Sequence, residues 1–571
     1  MILKRLKVQT TLGEATNCYI VEDEETKETM VIDPGGEADK ILEMLDILEA
    51  NVKYIYLTHC HGDHIGGVKE LKERKGGKMK KEETRTPHSN GMILEVDEVP
   101  SKKSQWIVLA IQHILAMFVA CITVPMLAYK GYVTSTGQNL ALVMIAPTII
   151  SAGVGTIFYL IMTKMKSPVF LASSFAYIAP MSAAIGIGAE QVINEAGEVI
   201  GLMPNLWLLP IGMAMVGVIY CLVALLIKLF GTNWLNKLLP PIVVGPVIMV
   251  IGLSLATSAV SNLTGGSLGS ANSTYNLLKI LCGIVAMIVT ALCAYYGKKT
   301  LSLIPFVIGM LSGYALAAIL TGIGYYGCQN EYFKIIDFSP MIDNYKNLSI
   351  KSFFDIPSFL FLMNDSSVPL KANHILSASL LFIPVSLVTI CEHIGDHKNL
   401  SGILRRDLLE DPGLSKTLIG DGVATSLSGI LCGAANTTYG ENVAVVGVTK
   451  IASTKVIFLA ALMAIVIGFF QPLMTFTMTI PACVTGGVSL ILYGFIASSG
   501  VKMLINEKID MGNTKNIFVA AVILVSGIGG LALGFGDPSN PMINITSVAV
   551  SMIFGIILNV ILKDKKKAIE K

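Results

Sequence analysis

From residue 105 to residue 562 the chain is a succession of apolar runs, most of them about twenty residues long, and no other feature constrains its fold as tightly. A run of that length crosses the hydrocarbon core of a bilayer as a helix, one of the two structures that satisfy their own backbone hydrogen bonds there. The runs fall near 105–128, 139–163, 168–187, 205–229, 239–259, 275–296, 301–322, 376–394, 416–433, 436–449, 456–478, 482–500, 516–535 and 541–562. They predict an all-α polytopic membrane protein with about 14 spans, the lipid bilayer being its first partner. Composition agrees, since 53% of the residues are hydrophobic and only 14% are charged. A formal net charge of +2, with no basic run interleaved with aromatics, sets nucleic acid aside as a partner.

Basic residues orient the spans. Lys102 and Lys103, Lys164 and Lys166, Lys228 and Lys237, Lys298 and Lys299, the group Lys398, Arg405, Arg406 and Lys416, Lys450 and Lys455, and Lys502, Lys508 and Lys515 fall in alternate loops. A basic tail at 564–571 joins the same side. Basic loops stay in the cytoplasm, so both termini are expected there, with the protein in the plasma or inner membrane.

Two carboxylates lie inside such runs: Glu392, in Thr389-Ile-Cys-Glu-His-Ile-Gly-Asp396, and Glu441, in Gly433-Ala-Ala-Asn-Thr-Thr-Tyr-Gly-Glu-Asn442. A carboxylate at mid-bilayer costs about 2.5–3.5 kcal/mol on insertion scales, so one retained there by default lines a substrate or ion path. Around Glu441 the Gly, Asn and Thr content interrupts a helix, and irregular backbone at that depth borders a cavity. The stretch is read as a binding site with Glu392 as its partner. The blander readings are a helix-end Glu392 solvated beside Asp396, His397 and Lys398, and a Glu441 in a solvated turn. Two echoes suggest an internal repeat: Ser173-Ser174-Phe175 against Thr437-Thr438-Tyr439, and Pro240…Gly245 against Pro481…Gly486.

Asn436-Thr-Thr-Tyr-Gly-Glu-Asn442, with Glu392-His393, Ser173-Ser174-Phe175 and Gln112-His113, resembles the uracil permease branch of the nucleobase–cation symporter-2 family, also called nucleobase–ascorbate transporters, over about residues 104–563. The resemblance implies 7+7 inverted repeats divided into core and gate domains, the gate around 239–322 and 482–562. It implies a β-strand in each of the short spans near 168–187 and 436–449, the two meeting at mid-membrane, and a homodimer. It implies that Glu392 and Glu441 bind the substrate, that Phe175 and Gly440 donate backbone N–H groups, and that Ala120 and Tyr439 pack against the ring. It extends a proton-coupling network from Glu392 to Asp396, Ser174 and Tyr493; some family members carry His at the place of Asp396. His393, His113 and Gln112 are read as structural hydrogen-bonders nearby.

The implied function is proton-coupled symport of uracil into the cell, with no enzymatic activity and no cofactor beyond the proton. A uracil ring offers imide N–H donors beside carbonyl acceptors. A carboxylate accepts from the former, and backbone N–H groups or a Glu392 that holds a proton donate to the latter. A purine or xanthine permease of the same family is the alternative, although those usually carry a Gln-containing stretch where Glu441 stands. An anion exchanger of this architecture is disfavoured by two carboxylates where the anion would sit.

The first 75 residues are of another kind. They read as a small soluble α/β piece: strands near Asn17–Glu22 and Met30–Asp33, a helix near Ala38–Glu49, and a strand Lys53–Thr58 that runs into Thr58-His59-Cys60-His61-Gly62-Asp63-His64. His59, His61, Asp63 and His64 at this spacing can converge on zinc, and the motif resembles HxHxDH of the metallo-β-lactamase-fold hydrolases, as do Asn17-Cys-Tyr and Ile32-Asp33-Pro34-Gly35. Such enzymes need further His and Asp ligands from a longer domain. Here the only later histidines are His88, His113, His374, His393 and His397, in or beside the charged and apolar segments. The piece is therefore expected to be a truncated, vestigial fragment, with residual zinc binding, and a membrane-anchored zinc hydrolase, as the alternatives from a different class. Residues 76–104 read as a charged linker with a short strand at Met92–Val96, and Met79 could serve as the start of a free-standing permease.

Overall fold

The computed structural model describes residues 1–10, 15–57, 66–75, 78–79, 91–193, 197, 199–266, 275–298, 301–359, 370–537 and 540–562. The chain divides into two units, Met1–Ile93 and Leu94–Lys571.

In the first unit, apolar residues alternate along β1 (Ile2–Gln9), β2 (Ala15–Glu22), β3 (Glu28–Ile32) and β4 (Asn51–Tyr56), while α1 (Ala38–Ile47) and α2 (Val68–Lys75) each turn an apolar face to them. With the two-residue β5 (Lys78–Met79) they form one sheet in the order β1-β2-β3-β4-β5, antiparallel from β1 to β3 and parallel from β3 to β5. Cys18, Ile20, Val31, Ile41, Leu45, Ile55 and Leu71 make its core. β1 is not among the expected elements. It carries Lys4, Arg5 and Lys7 between its apolar residues, as a strand at the open edge of a sheet does. His59, His61, Asp63 and His64 lie outside the described residues.

In the second unit every apolar run holds a helix or a strand followed by a helix. The first seven are α3 (Lys103–Ala128), α4 (Leu140–Met162), β6 (Leu171–Ser173) with α5 (Ile178–Gly186), α6 (Leu208–Phe230), α7 (Pro241–Thr264), α8 (Leu277–Tyr296) and α9 (Pro305–Gly322). The second seven are α10 (Ala372–Leu404), α11 (Leu414–Ile430), β7 (Asn436–Thr438) with α12 (Gly440–Thr449), α13 (Thr454–Gly468), α14 (Ala482–Asn506), α15 (Thr514–Ile528) and α16 (Ser547–Ile561). Among the described residues eight helices are long and apolar enough to cross a membrane alone, and α13, α15 and α16 are shorter apolar helices. The strand-helix element is third in each half, as a 7+7 inverted repeat requires.

Packing sorts the helices into two groups. α3, α4, α6, α10, α11 and α13 pack on one another and on the two strands, forming the core; α7, α8, α9, α14, α15 and α16 form the gate. Small residues let backbones approach in both groups. In the core, Gly217 of α6 lies against Gly422 of α11, and in the gate Gly283 of α8 lies against Gly487 of α14. A Cβ on Gly487 would run into the backbone of Gly283, whereas one on Gly494 of the same helix meets nothing within 4 Å. Gly487→Ala is expected to destabilise the solubilised protein by about 1–3 kcal/mol, read as a lowered melting temperature, with Gly494→Ala changing it little. Equal shifts would contradict the close crossing of α8 and α14.

Candidate functional site

β6 follows Pro168, whose fixed φ and missing N–H discourage a helix, and β7 follows a turn through Gly433 and is rich in β-branched threonine. The two strands pair antiparallel in the register Leu171↔Thr438, Ala172↔Thr437 and Ser173↔Asn436, and the N–H of Ser174 continues the ladder to the Ala435 carbonyl at 2.8 Å. All six paired residues are buried. Each strand thus satisfies part of the other's main chain, while the Thr156 hydroxyl bonds both the N–H and the carbonyl of Leu171 and the Thr425 hydroxyl donates to the Asn436 carbonyl.

Both strands then turn into helical backbone, at Phe175 and at Gly440. The first N–H groups of a helix have no partner within it and carry the positive end of its dipole. Two such starts therefore open beside one strand pair. Glu441 stands in the first turn of α12, and α10 brings Glu392 and, one turn later, Asp396 into electrostatic range of it. The Thr438 hydroxyl donates to Asp396 Oδ2 at 2.8 Å, and Asp396 Oδ1 lies 3.6 Å from where a Cβ on Gly440 would stand. Asp396 thus ties α10 to the junction of β7 and α12.

Tyr439 is buried and within electrostatic range of Glu441, Cys121 and Glu392. Ala120 is buried on α3 next to Cys121, whose sulfur accepts from the Ser173 hydroxyl at 3.7 Å. Phe175 sets its ring edge-on to Tyr493, with centroids 5.6 Å apart and planes at 76°. The two glutamates, Asp396, Tyr439, Gly440 and Phe175 are thus gathered around the strand junction. The expected Ser174–Tyr493 arm is not joined by a hydrogen bond, and the Ser174 hydroxyl has no hydrogen-bond partner among the described residues. Asn442, next to Glu441, donates to the His113 carbonyl at 3.0 Å and contacts its Nδ1 at 3.1 Å, anchoring α12 to α3. Gln112 Oε1 has no such partner among the described residues.

Asp421 is the residue that the sequence reading passed over. It is fully buried on α11, and its Oδ2 lies 2.8 Å from Nδ1 of His393, the neighbour of Glu392. His393 Nε2 faces the Thr417 hydroxyl at 3.0 Å, and that hydroxyl donates to the Leu414 carbonyl. Nε2 is therefore the donor there, and Nδ1 shares a proton with Asp421. His397 Nδ1 donates to the His393 carbonyl at 2.8 Å, and its Nε2 accepts from Tyr159 at 2.7 Å. Thr389, one turn before Glu392, receives the hydroxyls of Tyr177 and Tyr220 at 2.8 and 2.9 Å. These bonds fix the rotation of α10, and with it the direction of Glu392. The cost of a buried carboxylate, the argument that singled out Glu392 and Glu441, was a signal for Asp421 as well.

The family model described as "Permease family" (Xan_ur_permease) matches residues 104–534. The chain belongs to this permease family. The uracil permease of Bacillus caldolyticus is 37% identical over 481 residues, spanning 84% of this chain and 97% of that protein. The uracil permease of Escherichia coli K12 is 32% identical over 459 residues, 80% of this chain and 91% of that protein. Residues 12–98 match the Metallo-beta-lactamase superfamily model. Among solved structures, the murine Slc26a9 anion transporter in its inward-facing state shares the fold, with a TM-score of 0.55 at 11% identity over 81% of this chain and 69% of that one. The permease is thus a multi-pass membrane transporter and not an enzyme.

In the permease, Asp421→Leu would leave His393 Nδ1 buried without a partner, at a cost of about 1–3 kcal/mol, whereas Asp421→Asn can still donate to it. Transport is expected to fall at least ten-fold in the leucine variant and to survive in the asparagine variant, measured as initial uptake per inserted molecule. Equal activity in both would remove Asp421 from the positioning of Glu392.

Proposed function

We propose that this permease carries uracil into the cell together with a proton. The observation that carries the reading is the placing of Glu441 in the first turn of α12, with Asp396 of α10, one turn after Glu392, bonded to Thr438 beside it and a second helix start at Phe175 next to the same strand pair. The names of its relatives, uracil permeases of Bacillus caldolyticus and Escherichia coli, support the same substrate.

In this reading Glu441 accepts from a uracil N–H, and the N–H groups of Phe175 and Gly440 donate to the carbonyls. Ala120 and Tyr439 pack against the ring. Glu392, holding the coupling proton, donates to a carbonyl of the substrate. Proton and substrate each improve the site for the other, which is the reciprocity that symport needs. One proton crossing 100 mV supplies roughly 2.3 kcal/mol, enough to accumulate a neutral solute about fifty-fold. Asp396, tied to Thr438, is the next station of the proton path, with Ser174 and Tyr493 near the other strand. The core would travel past the gate in the manner of an elevator, in a homodimer of the plasma or inner membrane with both termini in the cytoplasm. The amino-terminal α/β unit takes no part in transport, and its HxHxDH residues are vestigial rather than a working zinc centre.

Three experiments test this. Glu441→Gln should abolish saturable uracil binding by the purified protein, and retention of high-affinity binding would refute the assigned role. Uptake of labelled uracil should collapse when a protonophore is added; uptake insensitive to it would leave the transport uncoupled from protons. Deletion of residues 1–78 should leave uptake intact, and loss of transport in a properly inserted deletion would give the first unit a part in it.

A further inference from the structure

Leu94–Pro100, read in sequence as the end of a charged linker, runs alongside residues 450–454, with Leu94 and Val96 buried to 3% and 4% exposure. The Leu94 N–H donates to the Lys450 carbonyl at 3.3 Å, and the Ala452 N–H donates to the Leu94 carbonyl at 2.9 Å. Thr454 gives both its N–H (3.0 Å) and its hydroxyl (2.8 Å) to the Val96 carbonyl. The Ser453 hydroxyl donates to the Glu98 carbonyl at 2.5 Å. Beyond it the Trp106 indole N–H donates to the Pro100 carbonyl at 2.8 Å, closing the segment onto the start of α3.

The place of these bonds matters more than their number. Residues 450–454 are the turn after α12, the short helix whose first turn carries Glu441. Lys450 is the left-handed C-cap of α12 at φ 58°, and carbonyls at a helix end have no partner inside the helix. Leu94 supplies one. Ser453 stands at the N-cap of α13, where a serine hydroxyl ordinarily accepts from its own helix's N–H groups. Here it makes no such cap and serves Glu98 instead. Two consecutive hydroxyls at a turn are thus committed to a neighbouring segment.

We propose that Leu94–Pro100 is a positioning strap for the substrate site: by holding the far end of α12 it sets the height and tilt at which Glu441 and the N–H of Gly440 meet the substrate. This goes beyond the function proposed above and rests on its assignment of Glu441 as a substrate ligand. The ten residues of α12 span about 15 Å, so a tilt of about 10° at one end displaces the other by roughly 2.6 Å, more than a hydrogen bond tolerates. A helix this short has little stability of its own with which to resist such a tilt.

The test uses the full-length protein in proteoliposomes, with uracil KM, maximal rate and melting temperature measured together. Ser453→Ala with Thr454→Val removes both hydroxyl donors, and is expected to raise KM about ten-fold with the maximal rate within about two-fold and the melting temperature little changed. Leu94→Pro, which removes the N–H given to Lys450, should act in the same direction. Ser453→Ala with Thr454→Ser, which keeps one hydroxyl on the Val96 carbonyl, should recover most of the affinity. An unchanged KM in the double variant, or a lowered melting temperature with the KM of the folded fraction unchanged, would overturn the strap. Glu441→Gln, measured alongside, separates the two readings. If it still binds uracil, the role of Glu441 fails; if it loses binding while the strap variants keep their KM, the strap alone fails.

Discussion

Three residue pairs of antiparallel backbone, Leu171–Ser173 against Asn436–Thr438, are the constraint on which the rest of this permease depends. A helix that ends halfway across a bilayer leaves donors and acceptors with nothing to bond, and each such group costs several kcal/mol. Pairing the two interrupted spans with each other removes that cost for the strands. The helices that follow, at Phe175 and Gly440, begin with N–H groups that have no partner within the helix itself.

The side chains around that place follow from the same geometry. Glu441 lies in the first turn of α12, where a negative charge is favoured by the helix dipole, while Glu392 and Asp396 arrive on α10. α10 needs its own anchoring if those carboxylates are to point at the junction, and the bonds of His393 to Asp421 and Thr417, of His397 to Tyr159, and of Thr389 to Tyr177 and Tyr220 supply it. Polar groups in this core are mostly committed to one another, so the helix has few alternative rotations.

What was legible in the sequence was whatever hydropathy and turn chemistry encode locally. The runs of about twenty apolar residues announced the spans, and the Gly, Asn and Thr around Glu441 announced the break. Glu392 and Glu441 could be paired in advance through the cost of burying each and through family resemblance. The partner of Asp421 could not, because His393 lies 28 residues away and nothing local joins them. Thr438 stood in the sequence only as a member of the Asn436–Asn442 motif and of the repeat echo, and only its bond to Asp396 gives it a further part. The segment before α3 was read as the end of a charged linker with a short strand at Met92–Val96, but nothing local could tell where its main chain bonds, which is a turn some 350 residues on. Composition carries no record of where a backbone finds its partners.

The two units of the chain differ in kind: the first has a sheet and core of its own, and the second has the architecture of a membrane transporter. All of the transport account rests on one arrangement in the second, a substrate held between Glu392 and Glu441 at the crossing of two short strands. A structure of the protein determined with uracil bound tests that most directly. The account predicts the ring between the two carboxylates, with its carbonyls facing the N–H groups of Phe175 and Gly440. Uracil found elsewhere in the molecule, or bound with either carboxylate turned away from it, would contradict it.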